Sequence, residues 1–312
     1  MTADWAADEL ALVWHPAYEV DIGPHVFPTA KYRLIRDRLI DEGTTGATEF
    51  VTPRRATEAE VGLVHTPTYL DKMQTGGFSP VELLTLEVPY TPEFREAMWL
   101  CAGGSIETGR LALERGRAVH LGGGFHHAFP DHGEGFCLIN DVAIAIRVLM
   151  QAGSIERAIV IDCDVHHGNG TAAIFRNEPA VFTLSMHQER NYPMWKPPSD
   201  LDLGLDDRTD DETYLGLIER HIPRILDQHR PDLAFYLAGA DPYVEDQLGG
   251  LGLTIDGLRR RDEAVFRILG GAAVPVAVTL AGGYARRTGD TIEIHCNTVR
   301  EARRQHAPPT HS

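Results

Sequence analysis

The densest chemistry in this sequence lies in one run, Asp162-Cys163-Asp164-Val165-His166-His167-Gly168-Asn169-Gly170. It directly follows the apolar stretch Ala158–Ile161. Along a strand, residues two apart share a face, so Asp162, Asp164 and His166 can be presented together where the strand ends. Carboxylate oxygens with an imidazole nitrogen form a borderline donor set that suits Zn²⁺ or another divalent transition metal. A catalytic zinc takes three protein ligands and keeps a fourth position for water. Each residue alone would read as a capping Asp or a solvated His on a surface loop. The whole D-x-D-x-H-H-G pattern after an apolar strand argues against that.

Three more segments carry reactive side chains. Gly122-Gly123-Gly124-Phe125-His126-His127-Ala128 holds an adjacent histidine pair behind glycines that let backbone approach a ligand closely. The pair could be two metal ligands. Adjacent ligands to one ion are geometrically awkward, so acid–base roles beside a metal fit better, one ring holding water and the other moving protons. Asp241, in Gly239-Ala240-Asp241-Pro242-Tyr243, is either a third ligand or a turn residue. Tyr284, in Ala281-Gly282-Gly283-Tyr284, is structural or, beside a metal, a hydroxyl donor to an oxyanion.

Something must bring these segments together. Apolar runs with little polar alternation occur at Ala118–Leu121, Ala158–Ile161, Val181–Leu184, Leu233–Leu237 and Val274–Leu280, as expected for strands buried on both faces. Between them Asp141–Gln151, Thr213–His229 and Leu258–Leu269 have helical spacing. That alternation predicts an α/β domain with a central, mostly parallel sheet flanked by helices. In such sheets ligands bind at the carboxyl ends of the strands, and a segment with polar residues follows every one of the five runs, Gly-rich in all but the SMH case. Repeats and long linkers are missing, so residues 1–300 read as one domain. The polar residues 301–312 read as a tail that frays.

Composition narrows the function. The 312 residues carry 45 Asp and Glu against 29 Lys and Arg, a formal charge of -16, which disfavours binding nucleic acid phosphates and permits cationic substrates. Cys101, Cys137, Cys163 and Cys296 are too widely spaced for a C-x-x-C pair or a disulfide framework and read as reduced thiols. The opening MTADWAADEL is not a signal peptide, and no stretch reaches the roughly 20 apolar residues of a membrane span. A cytoplasmic protein is the expectation; its oligomeric state is open.

Taken together, GGGFHHA, GFCLIND (Gly135 to Asp141), DCDVHHGNG, Ser185-Met186-His187, GADPY and AGGY resemble the histone deacetylase family, in the family's order and from His15 to about Thr298. HPAYEV, HVFPTAKYRLIRDRL, EDQLGGLGLT, RRDEAVF and GGYARRT resemble the class IV type and its bacterial relatives. The resemblance implies a single-domain arginase/deacetylase fold, with zinc held by Asp164, His166 and Asp241. It implies that His126 and His127 face the reacting water and that Tyr284 polarises the substrate carbonyl. It also implies that Asp162 orients His126 from behind. Gly135 and Phe136 would bind substrate, with Phe136 lining an acyl-lysine tunnel and Phe125 beside the His pair. A structural K⁺ at Asp162, Asp164, His166, Ser185 and Met186 is a further implication. Asn169 departs from relatives that carry Asp there: an amide orients His127 but supports its positive charge less.

The implied reaction is metal-assisted hydrolysis of an acyl amide, acetyl or a longer fatty acyl, on a lysine side chain of a protein or peptide. The class IV resemblance and the glycines around the centre point to a long chain; glycines serving tight turns would leave only an acetyl pocket. Acetylpolyamines or another small acylated amine are the alternative substrates. A ureohydrolase on the same fold would need a second metal and further bridging carboxylates, and a non-catalytic acyl-lysine-binding protein would not need Tyr284.

Overall fold

Strand-forming runs assemble into a single sheet in the computed structural model, which describes residues 10–304. The strands are Ala11–Val13 (β1), Phe50–Val51 (β2), Arg117–His120 (β3), Ala158–Asp162 (β4), Val181–Gln188 (β5), Leu201–Leu205 (β6), Leu233–Leu237 (β7) and Val276–Thr279 (β8). Their order is β2-β1-β3-β8-β7-β4-β5-β6, and every registered pair is parallel. The helices are Lys31–Asp41 (α1), Glu58–Val61 (α2), Pro67–Thr75 (α3), Pro80–Leu86 (α4), Pro92–Arg115 (α5), Asp141–Gln151 (α6), Asn169–Phe175 (α7), Asp211–His229 (α8), Ile255–Gly271 (α9) and Thr288–Arg304 (α10).

The continuous apolar strands are explained by helices on both faces. In β7, Leu233, Phe235 and Leu237 enter the core shared with α5 and α6, while Ala234 and Tyr236 enter the one shared with α8, α9 and α10. In β4, Ala158 and Val160 face the first core, and Ile159 and Ile161 the second. Helix α6 begins where Asn140 caps the amide of Ala143 at 3.0 Å and stops before Gly153, which has φ +69°. Helix α10 runs on to Arg304 with Glu301 buried, so residues 301–304 are helical where a frayed tail was expected. The rest of that tail, 305–312, lies outside the described residues. Among the described residues no helix is long and apolar enough to cross a membrane.

One buried ring beneath the site makes the fold acid-sensitive. His65 Nδ1 lies 3.0 Å from the carbonyl oxygen of Phe129 and donates to it, while Nε2 accepts from the amide of Asn140 at 3.1 Å. One nitrogen donates and the other accepts, which only a neutral imidazole can do. Burial lowers the His65 pKa from 6.5 to about 4. The unfolded chain therefore binds a proton between those values that the fold does not, so stability is intact above this window and falls as pH drops through it. The shift corresponds to roughly 3 kcal/mol. His65→Gln can keep both hydrogen bonds without titrating, and its urea midpoint should fall less than that of the unsubstituted protein between about pH 7 and 4. An identical pH slope in the two proteins would refute the assignment.

Candidate active site

Strands β3, β8, β7 and β4 are successive neighbours, so their carboxyl ends share one edge of the sheet. His120 pairs with Thr279, Thr279 with Leu237, and Leu237 with Asp162. The loops that follow carry His126 and His127, Tyr284, Asp241, and Asp164 with His166. Loop positions are themselves held. The Asp141 carboxylate at the start of α6 accepts from the amides of Gly124 at 3.1 Å and Phe125 at 2.7 Å. From α9, the buried Arg261 donates to the carbonyl of Gly239 at 2.6 Å, fixing the turn that carries Asp241.

Asp164, His166 and Asp241 present donor atoms within 4.8 Å of one another, and all three are buried. His166 Nδ1 is 3.0 Å from Asp164 Oδ1 and 3.5 Å from Asp241 Oδ2. Asp164 Oδ2 accepts from the amide of Gly282 at 2.8 Å, and Asp241 Oδ1 accepts from the amide of Val165 at 2.9 Å. Asp241 Oδ2 is buried with no hydrogen-bond partner among the described residues. A Cβ on Gly282 would stand 2.0 Å from Asp241 Oδ2 and 2.6 Å from Asp164 Oδ2, so only glycine leaves this cradle open. Burial, together with the Asp164 carboxylate, pushes the Asp241 carboxyl up to about 7. Two buried carboxylates facing each other are costly without a cation. The donor set, the orphaned oxygen and the glycine cradle fit a small divalent ion.

The histidine pair lies beside these residues. His126 Nδ1 donates to Asp162 Oδ2 at 2.6 Å, and His127 Nδ1 lies 2.7 Å from Asn169 Oδ1. The two Nε2 atoms face each other at 3.1 Å, so a single hydrogen fits between them. Burial opposes charge on His126, but the Asp162 and Asp164 carboxylates outweigh it and raise its pKa to about 9. His127 moves the other way: burial and the neighbouring His126 and His166 push it well below the ordinary value. Environments that drive two titrating groups apart separate acid from base. Here His127 is the neutral member, and its Nε2 lone pair faces the hydrogen on His126 Nε2.

Tyr284 lines the same space. Its hydroxyl makes no hydrogen bond to another described residue, and burial, reinforced by Asp164 and Asp241, keeps the phenol protonated far above the usual range. Its backbone is clamped by Asp246 Oδ2, which accepts from the Tyr284 amide at 2.7 Å. A chamber of about 30 Å³ lies between Tyr284, His126, His127, Phe125, Gly123 and Gly124. Through Gly135, Phe136, His127 and Tyr284 it adjoins an outer cavity of about 170 Å³ that also touches Tyr192 and Leu248. Phe136 has φ +69° and stacks on Phe27 with ring centres 6.2 Å apart. A Cβ on Gly135 would approach His127 to 2.7 Å.

The structure adds residues to which no site role was given from sequence. Lys31 is fully buried below the chamber, donates to the carbonyl of Ala281 at 2.7 Å and lies 5.9 Å from the Tyr284 ring centre. Burial lowers its pKa to about 8. Asp141, Glu134, Tyr192 and Asp246 hold the reactive loops by hydrogen bonds. The flanking glycines of Gly133-Glu134-Gly135 and the acid of Glu245-Asp246-Gln247 were the available signals. Ser185 and Met186 sit on β5, with Ser185 opposite Asp162. The Ser185 hydroxyl, an oxygen expected on a potassium ion, lies 3.0 Å from His187 Nδ1. His167, His187 and Asp202 form a second donor cluster, in which His167 Nε2 is 3.0 Å from Asp202 Oδ1. It shares no residue with the first.

Comparison with known proteins agrees with this architecture. The histone deacetylase domain family matches residues 25–299. An uncharacterized protein of Picosynechococcus is 41% identical over 94% of this chain and 98% of its own length. The acetoin utilization protein AcuC of Bacillus subtilis is 31% identical over 78% of this chain and 69% of its own, and histone deacetylase 2 of Arabidopsis thaliana 28% over 93% and 79%. The crystal structure of the HDA15 HD domain superposes with a TM-score of 0.77 at 22% identity, covering 98% of this chain and 91% of that one, and so shares the fold. The sheet is that of the deacetylase α/β domain, and the chain belongs to the histone deacetylase family.

Proposed function

We propose that this protein is a zinc-dependent deacylase that removes acetyl groups from lysine side chains. The observation carrying this reading is the convergence of Asp164, His166 and Asp241 with the His126–His127 pair and Tyr284 around one small chamber. Zinc held by those three ligands would polarise the acyl carbonyl and lower the pKa of water. His127, neutral with its hydrogen on Nδ1, takes the proton of the attacking water at Nε2 once that water replaces the contact with His126 Nε2. Burial then resists charge on His127, which favours passing that proton to the leaving amine. Asp162 holds His126 in place. Tyr284 keeps its hydroxyl proton and donates a hydrogen bond to the developing oxyanion. Phe136, Tyr192 and Leu248 in the outer cavity suit the aliphatic stem of lysine. A binuclear, ureohydrolase-like reading has less support, because the second donor cluster shares no ligand with the first. The motifs around His25 and Glu245 are the basis for placing the protein in the class IV branch, and a structural potassium ion near Asp162 and Ser185 belongs to the same proposal. Four buried, unpaired cysteines suit a reducing compartment such as the cytoplasm.

Packing around the chamber supports a short acyl group. The glycines that could have left room for a fatty chain are committed to close contacts. A Cβ on Gly133 would lie 2.7 Å from the Tyr69 hydroxyl oxygen, and Gly123 and Gly124 have φ of +68° and +85°. The chamber of about 30 Å³ is the smaller of the two adjoining cavities and has room for an acetyl group. Forcing methylenes into packed space costs roughly 1–3 kcal/mol, so kcat/KM should fall about 5- to 150-fold from acetyl- to octanoyl- and myristoyl-lysine in one peptide. A rate that rises with chain length would overturn the acetyl assignment. Failure of the zinc-loaded protein on all these peptides and on acetylpolyamines would overturn the hydrolase reading.

A further inference from the structure

Neutral histidine is a useful base only if its bare nitrogen faces the substrate, and something must choose which nitrogen that is. In this chain the partner of His127 is an amide, and an amide can present either its oxygen or its NH₂. Asn169 is not free to choose. Its Nδ2 donates to Glu134 Oε1 at 2.8 Å, and the same oxygen accepts from the Tyr192 hydroxyl at 3.0 Å. Glu134 Oε2 lies 3.6 Å from His132 Nε2. Burial pushes the Glu134 carboxyl up, but its hydrogen bonds with His132, Asn169 and Tyr192 outweigh this and hold it below the ordinary carboxylate value. An ionised carboxylate only accepts. The NH₂ side of Asn169 must therefore face Glu134, which turns Oδ1 toward His127 Nδ1 at 2.7 Å. An amide oxygen also only accepts, so the hydrogen of His127 sits on Nδ1 and its lone pair on Nε2, which faces His126 Nε2 at 3.1 Å at the chamber wall.

We propose that Glu134 is a positioning residue that sets the tautomer of His127 at one remove, through Asn169; the catalytic consequence rests on the deacylase reading above. Here the carboxylate stands one hydrogen bond away from the histidine. A merely structural Glu134 would hold the Gly133–Gly135 turn and Tyr192, and any side chain of its shape with one acceptor would serve. The proposed role depends on an acceptor that cannot also donate.

Glu134→Gln separates the two roles, since two facing amides can flip together and let Asn169 offer its NH₂ to His127. Expected is a loss in kcat of about 10–100-fold, the range for partners that orient a reactive group from behind, with KM changed less than about twofold. Adding Asn169→Asp to Glu134→Gln restores an acceptor-only group against His127 and a donor behind it, so the double variant should recover most of the lost kcat. A readout independent of turnover is the ¹⁵N spectrum of histidine-labelled, zinc-loaded protein, with the His127 signals identified by their loss in His127→Phe. The unsubstituted protein should show Nδ1 protonated and Nε2 bare, and Glu134→Gln a mixture. An unchanged spectrum in Glu134→Gln, unchanged kcat, or a double variant no faster than the single one would each overturn the proposal. If the unsubstituted protein hydrolyses no acyl amide, the deacylase reading fails and the spectrum still decides the tautomer.

Discussion

Tyr284→Phe should lower kcat by about 10²–10³-fold while leaving bound zinc unchanged, the loss measured when one preorganised oxyanion donor is removed. The substitution deletes only the hydroxyl. The ring remains against Phe27 and Phe136, and the backbone clamp from Asp246 involves the Tyr284 amide, so neither the chamber nor the loop should shift. The hydroxyl proton is secure because burial and the Asp164 and Asp241 carboxylates oppose its loss. No described residue competes for the donor. A steady-state assay on an acetyl-lysine peptide, with metal content measured on the same samples, is the check. Near-normal kcat at full zinc occupancy would remove Tyr284 from the reaction.

Asp241→Asn should have an equally large and different effect. Partners that merely orient a metal ligand change affinity by about 10–100-fold, and losing a charged ligand should exceed that. Activity should fall to background at zinc concentrations that saturate the unsubstituted protein. Stability should move in two directions. Without zinc, the variant relieves the repulsion between two buried carboxylates and should melt no lower than the unsubstituted protein. With zinc, the unsubstituted protein should gain in Tm and the variant should not. Elemental analysis and zinc-dependent thermal melts test this together. Stoichiometric zinc in Asp241→Asn would show that the ion is held elsewhere.

Elements that are buried on both faces were legible from sequence. Strand β7 and helix α6 coincide with the apolar run Leu233–Leu237 and the helical stretch Asp141–Gln151, because burial alone dictates their pattern. Strand β5 extends past Leu184 to Gln188, since its last residues carry polar side chains into the site edge. Edge strands were not legible. Leu201–Leu205 alternates exposed and partly buried residues around a glycine, and Phe50–Val51 is only two residues long. Helix α5 was hidden by Gly103, Gly104 and Gly109, which bring its backbone against neighbours. The reactive residues stood out as clusters. Their supports did not, because a support is defined by a distant partner: Lys31 bonds to Ala281 and Tyr192 to Glu134, far along the chain. A lone charge beside a glycine reads as a turn until that partner is placed.

The succession β3-β8-β7-β4 has a consequence for assembly as well as chemistry. The chain must bring the segment after Asp162 beside the one after Leu237, and the segment after His120 beside the one after Thr279, before any of these side chains meet. Such pairings join remote stretches and close late in folding. Nascent or partly unfolded chains thus hold one carboxylate–imidazole pair and lack Asp241, the third residue of the proposed metal site. If the proposed site takes up its ion, tight capture would report completed folding, and a cation that binds only the native chain would stabilise it by mass action. In a cell, the supply of that ion would help set how much of this protein persists.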